Sequence, residues 1–88
     1  MAWTVNLEPR ALGELKKLDH GAQKRMVTFL AERLCGEGDP RLQGKALTGD
    51  KVGLWRYRIG SYRIVCRIDD ACEKILVLRI AHRKDVYR

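Results

Sequence analysis

Apolar positions change their spacing part-way along this chain, from steps of three and four to strict alternation. Trp3, Val5 and Leu7 alternate with small or polar neighbours and predict a short first strand. Pro9 suits the first turn of a helix. Ala11, Leu12, Leu15 and Leu18 then make one stripe, so the helix is predicted to run to about Leu18. Asp19 is placed to cap a second helix, with Gly21 easing the turn. Met26, Phe29, Leu30, Arg33 and Leu34 follow one face of it until Gly36 and Gly38 terminate it. Residues 37–52, rich in glycine and charge, read as a connecting loop.

The period then shortens. In GLWRYRIGSYRIVCR, from Gly53 to Arg67, apolar and basic residues alternate on both sides of Gly60-Ser61, which predicts a hairpin with a two-residue turn. In that register Arg58 faces Arg63 and Arg56 faces Val65, while Trp55, Tyr57, Ile59, Tyr62, Ile64 and Cys66 share the other face. Asp69-Asp70-Ala71 forms the next turn, where the aspartates read as turn formers. A last strand runs from Lys74 to about Arg83, with Leu76, Leu78 and Ile80 expected on one face and Val77, Arg79, Ala81 and Arg83 on the other.

Residues 1–88 thus read as one α+β domain of order β-α-α-β-β-β, a small, mainly antiparallel sheet with two helices packed on one face. Trp55, Tyr57, Ile59, Tyr62, Ile64, Leu76, Leu78 and Ile80 should meet Leu12, Leu15, Met26, Phe29 and Leu30 from the helices. The opposite face then collects Arg56, Arg58, Arg63, Arg67, Arg79 and Arg83, and is expected to be open to solvent.

Charge sharpens this picture. The net charge is +7, and residues 1–50 carry 8 Lys/Arg against 7 Asp/Glu whereas residues 51–88 carry 10 against 4. The positive field belongs to the half read as sheet, and such a field concentrates polyanions. Like charges directly opposite each other on neighbouring strands are destabilising, so a face that accepts Arg58 against Arg63 points to an anionic partner, above all phosphate. Cys35, Cys66 and Cys72 show no CxxC spacing and no adjacent ligand histidine, which argues against a zinc site and fits a reducing, cytoplasmic setting. No cofactor is expected. The N-terminal residues lack an apolar run long enough for a signal or a membrane span.

Arginine offers a planar fork of donors matched to phosphate and keeps its charge at neutral pH. Several converging on one phosphodiester would stabilise the charge that builds up at pentavalent phosphorus; removing one such donor typically costs roughly a hundred- to a thousand-fold in rate. From the pattern alone, binding without chemistry stands ahead of catalysis. No HExxH, Walker loop, GxSxG or paired-carboxylate arrangement occurs. His20, in the turn between helices, is not expected to meet His82. His82 alone is a candidate for proton transfer near neutrality, with a polar strand end as its plainer role. Tyr87 either anchors the C-terminal turn or stacks on a base.

The LQGKALTG loop ahead of GLWRYRIGSYRIV, the element order and the ending RIAHRKDVYR together resemble the RelE/ParE toxin superfamily, most closely its RelE branch, over essentially the whole chain. The resemblance implies the toxin half of a type II toxin–antitoxin pair: an endoribonuclease that cuts mRNA in the ribosomal A site without a metal, the 2′-hydroxyl attacking the adjacent phosphate to leave a 2′,3′-cyclic phosphate. Carried over by position, Arg63 in SYRIV matches the arginine that stabilises the transition state. Arg83 in HRKDVY matches a second catalytic arginine, and Tyr87 the tyrosine that orients the nucleotide. Arg56 and Arg58 stand where the best-studied members carry two lysines. Arg58 is therefore expected to act as an electrostatic clamp and not as a base. Arg56, Arg67, Arg79 and Lys84 are expected to bind RNA.

The resemblance also implies a cognate antitoxin, an acidic or amphipathic segment that wraps the domain, and contact with DNA only indirectly through it. The ribosome and mRNA are the other expected partners. An alternative from the same superfamily is a ParE-like toxin that inhibits DNA gyrase without cutting nucleic acid. A third is a basic adaptor that coats RNA.

Overall fold

The computed structural model describes residues 2–47 and 53–82. In chain order it contains β1 (Thr4–Leu7), α1 (Pro9–Lys16), α2 (His20–Phe29) continued by a π turn (Leu30–Leu34), a 3-10 turn (Pro40–Leu42), β2 (Lys45–Ala46), β3 (Leu54–Ile59), β4 (Tyr62–Asp69) and β5 (Lys74–His82). The strands form one sheet in the order β1-β5-β4-β3-β2. β1 runs parallel to β5 and every other pairing is antiparallel.

Local chemistry sets the helix ends. Pro9 opens α1 with its φ already helical. The Asp19 carboxylate accepts the Ala22 N–H at 2.8 Å and starts α2. The Gln23 side-chain amide donates to the Lys16 and Leu18 carbonyls at 3.0 and 3.1 Å, satisfying acceptors left over at the end of α1. Beyond Leu34 the chain leaves the helix, and Gly36 takes a φ of +103° while its backbone bridges to Trp3.

The core lies between the helices and one sheet face. Ala11, Met26, Leu30 and Leu34 meet Tyr57, Ile64, Cys66, Ile75, Val77 and Ile80, with Leu15, Phe29, Trp55, Ile59 and Tyr62 packed around them. Three expectations need correcting. Leu12 is 41% exposed and outside the core. Leu76 and Leu78 are only half-buried, and Ile75 and Val77 take the core positions instead. The cause is a β-bulge: Val65 pairs with Arg79 but Cys66 with Val77, so Leu78 is the extra residue. One added residue flips the alternation, leaving Ile80 on the expected face and its predecessors on the other.

The expected loop at 37–52 contains a strand. β2 pairs Lys45 with Arg56 and Ala46 with Trp55, adding a fifth strand to the sheet edge. The segment before it is pinned from β3: the Tyr57 hydroxyl donates to the Pro40 carbonyl at 2.8 Å and the Trp55 indole to the Gln43 carbonyl at 2.7 Å. Gly44, at a φ of +82°, passes so close that a Cβ there would collide with the Arg56 carbonyl and come within 2.8 Å of the Tyr57 ring. Arg41 grips Asp70 with two bonds of 2.8 Å, tying this segment to the β4–β5 turn. Asp69 accepts the Cys72 N–H at 3.2 Å, the turn-forming role read from the sequence. Among the described residues, no helix is long and apolar enough to cross a membrane.

Candidate functional site

The hairpin places its arginines as the alternation requires. β3 and β4 pair Arg58 with Arg63, Arg56 with Val65 and Leu54 with Arg67. Gly60, at a φ of +59°, makes the tight turn between them. β2 adds Lys45 directly beside Arg56. Lys45, Arg56, Arg58, Arg63 and Arg67 therefore share the sheet face turned away from the helices. Lys45 is the member that sequence reasoning missed. A two-residue strand shows no alternation; the only signal was its place in the LQGKALTG loop.

Exposure divides this set. Arg58 and Arg67 are exposed and Arg56 half-buried, but Arg63 is only 8% exposed and its neighbour Val65 only 4%. The face was assigned correctly, yet Arg63 is not solvent-facing. Burial holds its guanidinium in place on the sheet and lowers the local dielectric, which strengthens its field. Gly44, Lys45, Arg56 and Arg58 line a cleft of about 280 Å³ beside it, open enough to admit a phosphate.

Two other expectations change. Arg79, expected to bind RNA, donates from Nε to both Glu14 carboxylate oxygens at 3.2 and 3.0 Å. The same carboxylate accepts the Ile80 N–H at 2.9 Å, beyond the last β1–β5 pair at Leu7 and Val77. Glu14 thus caps the part of β5 that β1 does not cover, and Arg79 serves that closure. His82 pairs with Tyr62, its ring edge-on to the tyrosine at 5.8 Å, and Tyr62 pairs with Ile59. This register puts His82 on the face opposite Arg58 and Arg63, so proton transfer to a phosphate on the arginine face does not fit it. Arg83, Lys84 and Tyr87 lie outside the described residues.

The shifted ionisable groups are structural. Burial pushes the Cys66 thiol up to about 12. Burial likewise raises the Tyr57 hydroxyl, with the Cys66 charge as a second cause. The hydrogen bond from Arg41 draws the Asp70 carboxyl below its ordinary range and raises Arg41 in turn. Among the described residues, no cluster of His, Cys, Asp and Glu is placed to hold a metal ion.

The family model describing the ParE toxin of type II toxin–antitoxin systems matches residues 5–87. This chain is a type II toxin of the RelE/ParE superfamily. Toxin RelG of Mycobacterium tuberculosis is 35% identical to it over 88 residues, covering 100% of this chain and 99% of the relative. Toxin RelE of the same organism is 32% identical over 84 residues, covering 96% and 84%. Among solved structures, the RelBE2 toxin–antitoxin complex of M. tuberculosis contains a chain that superposes with a TM-score of 0.86 at 33% identity, covering 97% of this toxin and 95% of that chain. The intact Escherichia coli RelBE complex shares the fold, with a TM-score of 0.75 at 24% identity. The toxin therefore carries a RelE fold with arginines on its helix-free face, two of them opposed beside the β3–β4 turn.

Proposed function

We propose that this toxin is a ribosome-dependent endoribonuclease that cleaves mRNA in the A site and so halts translation. The observation that carries the reading is the Arg58–Arg63 pair, directly opposed across β3 and β4 beside a basic cleft. Nothing in sheet stability favours that juxtaposition, whereas a phosphodiester reverses its sign.

In the proposed reaction the 2′-oxygen of a nucleotide attacks the adjacent phosphorus. The bond to the departing 5′-oxygen breaks, leaving a 2′,3′-cyclic phosphate and a 5′-hydroxyl. The 2′-hydroxyl gives up a proton and the 5′-oxygen gains one. Arg63, rigid and buried, stabilises the charge on the non-bridging oxygens, while Arg58 clamps them from the exposed side. Neither guanidinium can take up the proton near neutral pH, so their contribution is charge and orientation. Arg83 and Tyr87 enter on their sequence positions alone, as a second phosphate ligand and as the group that orients the reacting nucleotide. Arg56, Arg67 and Lys84 hold the strand on either side. Charge supplied by arginines makes a resident metal unnecessary for this chemistry.

A protein antitoxin is proposed as the physiological restraint, supported by the RelBE2 complex of the 33% identical relative. The family description itself names ParE, which keeps gyrase inhibition as the competing reading. One paired assay separates them. Purified toxin added to ribosomes translating a defined message should produce primer-extension stops within A-site codons, while gyrase supercoiling of plasmid proceeds. Full-length message with arrested supercoiling would establish the ParE-like reading instead.

A further inference from the structure

A helix-side groove lies along the edge of β3, lined on its far side by residues that the chemistry above does not use. Among the described residues, β2 pairs with β3 at Arg56 and Trp55, and no strand pairs with the edge at Arg58 and Ile59. α2 runs along this gap. Lys24, Arg25, Thr28 and Glu32 recur at helical spacing and bound one wall of a hollow of about 580 Å³. Half-buried Phe29 and Ile59 contribute apolar surface to it. Among the described residues, four cations line it, Lys24, Arg25, Arg33 and Arg58, against the single carboxylate of Glu32. Arg33 donates to the Gln43 amide oxygen at 3.3 Å, which sets a polar side chain at the rim.

Arg58 lines this hollow and also the smaller cleft with Lys45 and Arg56. One residue thus borders both, and a basic track continues from the arginine face, around the edge of β3, onto α2. Apolar surface from Phe29 and Ile59 in company with these cations suits a ligand with an aromatic face and phosphates, which describes an unpaired nucleotide. An acidic peptide would answer the charge alone; continuity with Arg58 favours the same polymer on both sides of the edge.

We propose that this groove is a second RNA subsite. It takes an unpaired nucleotide of the strand whose scissile phosphate lies at Arg58 and Arg63, with the base against Phe29 and Ile59 and flanking phosphates on Lys24, Arg25 and Arg33. The subsite rests on the nuclease reading and extends it to residues outside the catalytic face.

The test uses the full chain with 2′-O-methyl RNA oligonucleotides, which lack the attacking hydroxyl and stay intact. A single 5-iodouridine, walked along the oligonucleotide, should crosslink to the peptide containing Phe29 from one position only. Lys24→Gln/Arg25→Gln changes two exposed side chains and should keep the wild-type melting curve. Its affinity for the oligonucleotide should fall about tenfold, and the slope of log K against log salt should flatten by about 1.4, as for two lost single-strand phosphate contacts. On ribosomes its KM should rise with kcat retained. Unchanged affinity and slope, or crosslinks confined to peptides of the arginine face, would overturn the subsite even if the wild type cleaves message. Unchanged RNA affinity with weakened binding of an acidic antitoxin would assign the groove to a protein partner and refute the proposal. Failure of the wild type to generate cyclic phosphate ends would refute the nuclease reading separately, and the Phe29 crosslink would then decide the groove.

Discussion

Arg58 and Arg63 face one another across the hairpin, yet one is exposed and the other nearly buried. Their substitutions should therefore behave differently. Arg58→Ala is expected to slow mRNA cleavage by roughly a hundred- to a thousand-fold with an unchanged thermal midpoint, since it removes an exposed side chain. Arg63→Lys keeps the charge but loses the planar fork, and should slow the reaction comparably. Arg63→Ala should also lower the melting temperature, because it empties a packed position. Equal activity in Arg63→Lys and wild type would mean that charge alone suffices there. His82→Gln should leave the pH–rate profile unaltered, because the register sets that ring on the other face; loss of an ionisation near neutrality would restore it as a proton-transfer group. The opposition of the two arginines was legible from alternation and the Gly60 turn. Burial of Arg63 was not, because alternation assigns a face and says nothing of what covers it.

Strands and turns carry the next set of expectations. The Leu76-Val77-Leu78 run is apolar throughout, so no alternation in it could announce the bulge that swaps their faces. Glu14 and Arg79 are 65 residues apart in sequence, and only the fold brings them together. Glu14→Ala should destabilise the domain by about 1–3 kcal/mol, since it removes the carboxylate that accepts both the Ile80 N–H and the Arg79 Nε–H; a urea titration measures this. Gly44→Ala should cost more than about 2 kcal/mol, combining positive φ with a collision against β3. A wild-type midpoint for Gly44→Ala would mean that the segment ahead of β2 is not held as described. The Arg41–Asp70 tie makes a pH-dependent claim. Asp70 titrates below the unfolded carboxylate value of about 3.9, so its contribution is present above that value and is lost as pH falls through the depressed one. Asp70→Asn should be less stable than wild type at neutral pH, with the two curves converging in acid. The pair is exposed and the difference will be small and salt-screened.

For the molecule as a whole, the order of helices and strands was readable because each long element has one dominant period. The fifth strand was not, being two residues long. The parallel pairing of β1 with β5 was not read either, since sequence order does not say which strand receives the first one. The charge asymmetry was plain from composition, and Arg56, Arg58, Arg63 and Arg67 of the basic half now have an address on the helix-free face. Association with ribosomes should accordingly weaken steeply as salt rises, and a flat salt response in sedimentation would deny that face its proposed role. The most direct measurement is chemical mapping of the 3′ ends of translated mRNA incubated with wild-type toxin and with Arg58→Ala. The expected result is new ends bearing 2′,3′-cyclic phosphate with the wild type and their near disappearance with the variant. Undiminished cyclic phosphate ends with Arg58→Ala, or none with the wild type, would contradict phosphate capture by the opposed arginines.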